Sequence, residues 1–123
     1  MDEFISKDFL YAVVGATNKP GNAGYAILNG LRERGYAVVG ISPYSDEING
    51  IRCFESIIDF EDRPDVIIVA TPPVESKEVV RECIDFGIDR FWFQPDCCSL
   101  ELFQQLQGDG VMTVCDRDIC LEL

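Results

Sequence analysis

A strand, a glycine-rich turn and a helix follow one another within residues 11–25, YAVVGATNKPGNAGY. Tyr11–Val14 is uncharged and either aromatic, small or β-branched, which predicts a short buried strand. Gly15 follows directly, and an amphipathic helix is predicted from Ala23 with Asn22 as its N-cap. The first turn of a helix has backbone N–H groups without intrahelical partners and a partial positive charge, and phosphate groups commonly bind there. The stretch therefore predicts an anion site on an α/β scaffold.

The rest of the chain alternates predicted strands with predicted helices. Further strands are predicted over 37–41, 51–54, 65–70, 90–93 and 111–115, and helices over 2–9, 23–34, 55–60, 74–86 and 100–107. Most strands are apolar on both faces, which is typical of a parallel sheet covered by helices on both sides. We therefore predict one domain over 1–123, a doubly wound α/β fold with a mostly parallel sheet of five to six strands. Ligands of such sheets bind beyond the carboxyl ends of the strands, here between the first and fourth strands.

Composition excludes several classes of function. The 123 residues include 10 Lys and Arg against 22 Asp and Glu, a net charge of −12, and nucleic-acid binding requires the opposite balance. Histidine is absent from the sequence, which removes Ser-His-Asp and Cys-His catalysis and histidine metal sites. No apolar run is long enough for a membrane span, and the acidic start lacks the basic region of a secretory signal. We therefore expect a cytoplasmic protein with reduced thiols.

Three phosphate-binding turns compete for the segment after the first strand. The dinucleotide fingerprint G-x-G-x-x-G needs closer glycines than Gly15, Gly21 and Gly24, and it needs an acid where Ser42 ends the second strand. The P-loop is absent, because Asn22 stands where that motif has lysine. The third possibility is a looser turn that wraps the phosphates of coenzyme A (CoA).

Six segments, in their order and spacing, carry a family resemblance: YAVVGATNKPGNAGY at 11–25, RGYAVVGISP at 34–43, NGIRCFESI at 49–57, DVIIVATPP at 65–73, FWFQP at 91–95 and VCDRDICLEL at 114–123. Together they make the chain similar to the small stand-alone CoA-binding domain proteins, which are Rossmann-like and related to the CoA-binding domain of the succinyl-CoA ligase α subunit. The chain departs from that family at ligand-facing loops. Ser42 replaces a frequent asparagine, Tyr44 a basic residue, and Asp96-Cys97-Cys98 a frequent glycine.

The resemblance implies a binding site for CoA or an acyl-CoA and no catalytic residue. The backbone amides of 16–22 and the Thr17 hydroxyl would hold the pyrophosphate, with Lys19 as a cation. Residues 42–44 would flank the adenosine, and residues 71–73 would wall the adenine or the pantetheine arm. The candidate site residues are Gly15, Ala16, Thr17, Asn18, Lys19, Gly21, Asn22, Tyr25, Ser42, Pro43, Tyr44, Thr71, Pro72, Pro73, Gln94 and Arg117.

Two other functions stay open on the sequence. One is an enzyme or redox sensor that uses NAD(P) or another nucleotide, which the missing acid at Ser42 disfavours. The other is a regulatory or interaction domain without a ligand, in which the 15–22 turn only connects strand to helix and Lys19 is a solvated surface residue. The sequence does not fix the oligomeric state.

The six cysteines separate into two groups. Cys53, Cys83 and Cys115 lie on apolar faces, which is typical of small core residues. Cys97 and Cys98 fall in a loop at the ligand edge, where one thiol could form a mixed disulfide with CoA. With Cys120 they could suggest a metal site, but there is no C-x-x-C pair and no histidine, so we predict no metal.

Overall fold

The computed structural model describes residues 3–123. Its strands are β1 Leu10–Val14, β2 Ala37–Ile41, β3 Glu47–Ile48, β4 Ile51–Phe54, β5 Val66–Val69, β6 Arg90–Phe93 and β7 Met112–Val114. Its helices are α1 Ala23–Glu33, α2 Pro73–Asp85 and α3 Leu100–Gly108, with 3₁₀ turns at Ile57–Asp59 and Ile119–Leu121. Each of the six predicted strands and three of the predicted helices is confirmed with ends within one residue. The helix predicted over 55–60 is the first of the two 3₁₀ turns.

The strands form one sheet in the order β3-β4-β2-β1-β5-β6-β7. All pairs are parallel except β3 with β4. The prediction of a Rossmann-like doubly wound sheet is confirmed, and its central strand β1 lies between β2 and β5. The chain reverses its direction across the sheet at that point, so the carboxyl ends of β1, β2 and β5 frame the expected ligand position.

The predicted count of five to six strands is low, because the sheet has seven. The strand that was missed is β3, which pairs with β4 as a hairpin. Asn49 and Gly50 form its two-residue turn, with φ of 50° and 80°. An Asn-Gly pair between apolar residues is a strong signal for such a hairpin, since both turn positions require positive φ.

Side chains of the strands alternate between two apolar layers, one on each face of the sheet. On one face α1 buries Ile27, Leu28 and Leu31 with Tyr11 and Val13 of β1. On the other face α2 and α3 bury Val80, Cys83 and Leu106 with Ala12 and Val14. Burial on both faces explains why the strands are uniformly apolar. The prediction of helices on both sides of the sheet is confirmed.

The helix predicted over 2–9 is wrong where the structure describes it, because residues 3–9 form turns. Phe4 packs edge-on against Trp92, with ring centroids 5.8 Å apart. The Tyr11 hydroxyl donates to the Phe4 carbonyl at 2.6 Å and accepts from the Ser6 N–H at 3.1 Å. These tertiary contacts hold residues 3–9 in position, and the backbone hydrogen bonds of a helix do not form there. Within residues 3–123, no helix combines the length and the hydropathy that a membrane crossing requires.

Candidate functional site: a cleft at the carboxyl edge of the sheet

The turn after β1 is fixed by a glycine in close contact with the end of β5. Gly15 has φ of 91°, and a Cβ added there would lie 2.4 Å from Thr71 Cγ2. The Ala70 N–H donates to the Val14 carbonyl at 3.0 Å, which holds the two strand ends side by side. A residue with a side chain would therefore be strained and would also push the two loops apart.

The start of α1 touches this turn directly. A Cβ on Gly24 would lie 2.0 Å from the Gly15 carbonyl oxygen, so only glycine permits the approach. Asn22 is the N-cap, as predicted, and its Oδ1 accepts from the Gly24 N–H at 2.9 Å. Ala16 lies over Gly40 of β2, where an added Cβ would come within 2.8 Å of the Ala16 Cβ. Small residues in strand, turn and helix thus bring the positive end of α1 to the edge of the sheet.

An open cleft of about 990 Å³ lies between this turn and the loops after β2, β4 and β5. Small-molecule sites have volumes of roughly 300–1,000 Å³, so the cleft is large enough for a nucleotide-sized ligand. It brings together ten of the sixteen candidate residues. These are Gly15, Ala16, Thr17, Asn18, Lys19, Asn22, Ser42, Pro43, Tyr44 and Thr71.

Local hydrogen bonds shape the two sides of the cleft. On one side the Thr17 hydroxyl accepts from the Lys19 N–H at 3.3 Å, and the Asn22 N–H donates to the Lys19 carbonyl at 3.2 Å. On the other side Ser42 is buried, its N–H donates to the Phe54 carbonyl at 2.8 Å and its hydroxyl accepts from the Tyr44 N–H at 3.3 Å. The Tyr44 side chain is 93% exposed at the mouth. Ser42 therefore shapes the loop that presents Tyr44.

The polar groups in the cleft are unevenly distributed. Lys19 is exposed and forms no ion pair within residues 3–123. Glu55, at the end of β4, and Glu75, in the first turn of α2, also line the cleft. The Thr71 hydroxyl is buried and has no hydrogen-bond partner among the described residues. Neither glutamate is among the candidate residues predicted from the sequence, although Glu55 directly follows a predicted strand.

Six candidate residues do not line the cleft. Gly21 is exposed in the turn with φ of 90°, Pro72 is the N-cap of α2 and Pro73 is its first residue. Tyr25 faces the β3–β4 hairpin instead, where its hydroxyl accepts from Asn49 Nδ2 at 2.9 Å.

Gln94 and Arg117, the other two, belong to a structure that we call the C-terminal clasp, formed by Trp92, Gln94 and residues 117–119. The Gln94 side chain is buried, donates to Asp118 Oδ1 at 3.0 Å and accepts from the Ile119 N–H at 2.9 Å. The Trp92 indole N–H donates to the Arg117 carbonyl at 2.7 Å. The clasp holds the chain that follows β7 against the end of β6. The sequence pattern does not indicate these hydrogen bonds.

Two of the cysteines form a disulfide, Cys98–Cys115, with 5.9 Å between their Cα atoms. The expectation that Cys115 is a core thiol is therefore corrected, and so is the expectation that the thiols are all reduced. Cys53, Cys83, Cys97 and Cys120 are free. In the described part of the chain, no group of three or more Cys, Asp or Glu side chains is arranged to hold a metal ion.

Residues 10–123 match the sequence profile of the CoA binding domain family. The chain belongs to this family. An ADP-forming acetate–CoA ligase of Methanocaldococcus jannaschii is 34% identical over 86 residues, which are 70% of this chain and 12% of that protein. An uncharacterized protein of Bacillus subtilis, YneT, is 22% identical over 121 residues, 98% of this chain and 88% of its own. This member of the CoA binding domain family thus spans about an eighth of the ligase and most of YneT.

A solved structure of a conserved hypothetical protein from Pyrococcus furiosus has the same fold. It superposes on this CoA binding domain with a TM-score of 0.88 and 33% identity, over 94% of this chain and 99% of that one. Family membership supports an interaction with CoA in general.

Proposed function

We propose that the cleft binds CoA or an acyl-CoA, with the pyrophosphate on the 15–22 turn. The observation that carries the proposal is the cleft itself, which opens where the start of α1, the ends of β1 and β5 and the loop after β2 meet. In a CoA binding domain, the partial positive charge at the start of α1 and the ammonium of Lys19 are the groups suited to a diphosphate.

The adenosine would lie against residues 42–44, on the opposite side of the cleft. Tyr44 offers an exposed aromatic face there, and aromatic rings favour stacked contact with a flat heterocycle. A nicotinamide dinucleotide would need a carboxylate at the end of β2 for its ribose hydroxyls. Ser42 stands at that place with its hydroxyl already accepting a backbone N–H, which favours CoA over NAD.

Ligand-induced stabilisation tests the proposal directly. CoA, acetyl-CoA, NAD, NADP and ATP are compared by thermal unfolding and by titration calorimetry. A ligand at 100 times its Kd raises the free energy of unfolding by about 2.7 kcal/mol, which corresponds to a rise in Tm of about 10 °C. We expect this shift with CoA or acetyl-CoA. No heat and no shift at millimolar CoA would refute the proposal.

The variant Lys19→Ala tests where the phosphates bind. Exposed ion pairs contribute at most about 1 kcal/mol, so we expect CoA affinity to fall roughly fivefold. Lys77→Ala is the matched control, because Lys77 is an exposed lysine of α2 that does not line the cleft. An equal effect of both variants would mean that only the net charge of the protein matters, and no effect of Lys19→Ala would remove that side chain from the site.

A further inference from the structure

The Cys98–Cys115 disulfide lies at the same edge of the sheet as the cleft. Cys98 is in the loop that follows β6, and Cys115 directly follows β7. Both are only partly buried, unlike Cys97 and Cys83, so this bond lies nearer to solvent than those two thiols do. The pair is therefore a candidate for thiol–disulfide exchange, which requires access to a sulfur.

The packing links this disulfide to the cleft. Cys98 and Cys115 both pack against the apolar layer that contains Val14, and Val79 packs against the same layer. Val14 and Val79 are part of the cleft wall. Only β5 separates β1 from β6, so the turn after β1 and the loop after β6 are two strand spacings apart, about 10 Å.

A CoA molecule held at the 15–22 turn could span that gap. Its pantetheine arm joins the phosphate to the terminal thiol through roughly thirteen bonds in single file, and at the spacing of an extended backbone these cover about 15 Å. An arm that leaves the turn and crosses the end of β5 therefore reaches the loop after β6 with length to spare. The thiol at its end is the reactive group of the ligand.

We propose that the Cys98–Cys115 pair exchanges with the thiol or disulfide of CoA bound in the cleft, an inference that rests on the proposed function. In the reduced chain the Cys98 thiolate attacks one sulfur of CoA disulfide, whose S–S bond breaks, and the first CoA leaves as a thiolate that takes up a proton. The Cys115 thiolate then attacks Cys98 Sγ, closes the protein disulfide and expels the second CoA. Two cysteine sulfurs are oxidised and two CoA sulfurs are reduced, so no other reactant is needed.

Cys98 is assigned the first attack for two reasons. It is one strand nearer to the cleft than Cys115. It also directly precedes Ser99, the N-cap of the nine-residue helix α3, and a thiolate is stabilised at the start of a helix. Cys97 is excluded because it is 7% exposed, and burial, followed by the charges of Asp96 and Asp116, raises the pKa of its thiol.

The C-terminal clasp holds Cys115 in position for the second step, the attack on Cys98 Sγ in the mixed disulfide. Trp92 and Gln94 hold the chain just after Cys115 through three hydrogen bonds, of 2.7, 3.0 and 2.9 Å. This backbone is fastened independently of the disulfide, so we expect Cys115 to stay opposite Cys98 when the bond opens. A resolving thiol held near its target closes a mixed disulfide quickly.

The test compares two disulfides of the same chemistry, CoA disulfide and pantethine, which lacks the nucleotide. Protein is reduced, freed of reductant and mixed with each, and released thiol is followed by chromatography. We expect two CoA per chain, and a rate at least about tenfold higher with CoA disulfide because cleft binding raises the effective concentration of the sulfur. Cys115→Ser should trap one CoA on Cys98, as located by peptide mass. Lys19→Ala should slow the reaction with CoA disulfide alone.

The outcomes separate this inference from the proposed function. Equal rates with CoA disulfide and pantethine, or no CoA release although calorimetry detects CoA binding, would overturn the exchange and leave the binding site intact. Absence of CoA binding would overturn both. If Cys115→Ser does not fold, as judged by its melting curve, the wild-type release and the comparison with pantethine still decide the question.

Discussion

Replacing Gly24 with alanine tests whether contact between α1 and the 15–22 turn organises the cleft. The added Cβ would lie 2.0 Å from the Gly15 carbonyl oxygen and 2.9 Å from the Gly15 carbonyl carbon. Ordinary contact begins at 3.4 Å, so the helix start must move away by about 1.4 Å to reach it. Both atoms belong to the backbone, so no side-chain rotation can relieve the clash.

The magnitude follows from two opposing effects. Forcing an extra methyl group into a packed site costs about 1–3 kcal/mol, and a clash with rigid backbone belongs at the upper end. Alanine in place of glycine within a helix stabilises by about 0.5–1 kcal/mol. We therefore expect Gly24→Ala to lower the free energy of unfolding by about 2 kcal/mol, which is a fall in Tm of about 8 °C.

Urea and thermal unfolding provide the measurement, with Gly108→Ala as the matched control. Gly108 is also in a helix, α3, but an added Cβ there meets nothing within 4 Å. The free energy of unfolding of Gly108→Ala should therefore stay unchanged or rise by up to about 1 kcal/mol. CoA affinity should fall in Gly24→Ala and stay unchanged in Gly108→Ala. If both variants have the same stability, α1 does not depend on contact with Gly15, and the account of the cleft is wrong.

Two further predictions concern buried polar groups. Thr71→Val keeps the methyl group against Gly15 and removes a buried hydroxyl without a partner, so we expect the free energy of unfolding to rise by up to about 1 kcal/mol in urea titrations; a clear loss of stability would show that the hydroxyl has a partner in solution. Gln94→Ala leaves the buried Ile119 N–H without its partner and removes the hydrogen bond to Asp118, so the free energy of unfolding should fall by about 1–3 kcal/mol. Gln105→Ala, on the exposed surface of α3, should change it by less than about 0.5 kcal/mol. Equal effects of the two glutamine variants would contradict the role of the clasp.

The sequence predicts this fold well because the decisive signals are local. A four-residue apolar strand, a glycine and a capped amphipathic helix each follow from neighbouring residues, and Asn22 caps α1 as expected. The Asn49-Gly50 pair is also a local signal, because it is typical of a hairpin turn. The strand before it, β3, has only two residues, which is too short to show the alternation of apolar and polar residues that would identify a strand. The segment 3–9 could not be predicted, since Phe4 is held by Trp92, a residue far away in the chain.

Residues that line the cleft could be predicted from the sequence where they adjoin a strand end, whereas contacts between distant segments could not. Lys19, Ser42 and Thr71 line the cleft because parallel strands bring their ends to one edge. The disulfide joins residues 17 apart in sequence, and no spacing rule selects that pairing among six cysteines. Gln94 also follows a strand, but its side chain is used by the C-terminal segment, which only the tertiary structure reveals.

The charged side chains in the cleft restrict where the anionic part of a ligand and where its hydrogen-bond donors are favoured. Among the described lining residues Lys19 is the single base, while Glu55 and Glu75 contribute two acids, and the whole protein carries a net charge of −12. The net charge opposes long-range attraction of a polyanion, so the proposed binding of a diphosphate would depend on backbone N–H groups at the start of α1 together with Lys19. The carboxylates accept hydrogen bonds but repel phosphate, so they suit hydroxyl or amide donors. A ligand with a diphosphate in its middle, a sugar and base on one side and an amide-bearing arm on the other matches this distribution of charge, as CoA does.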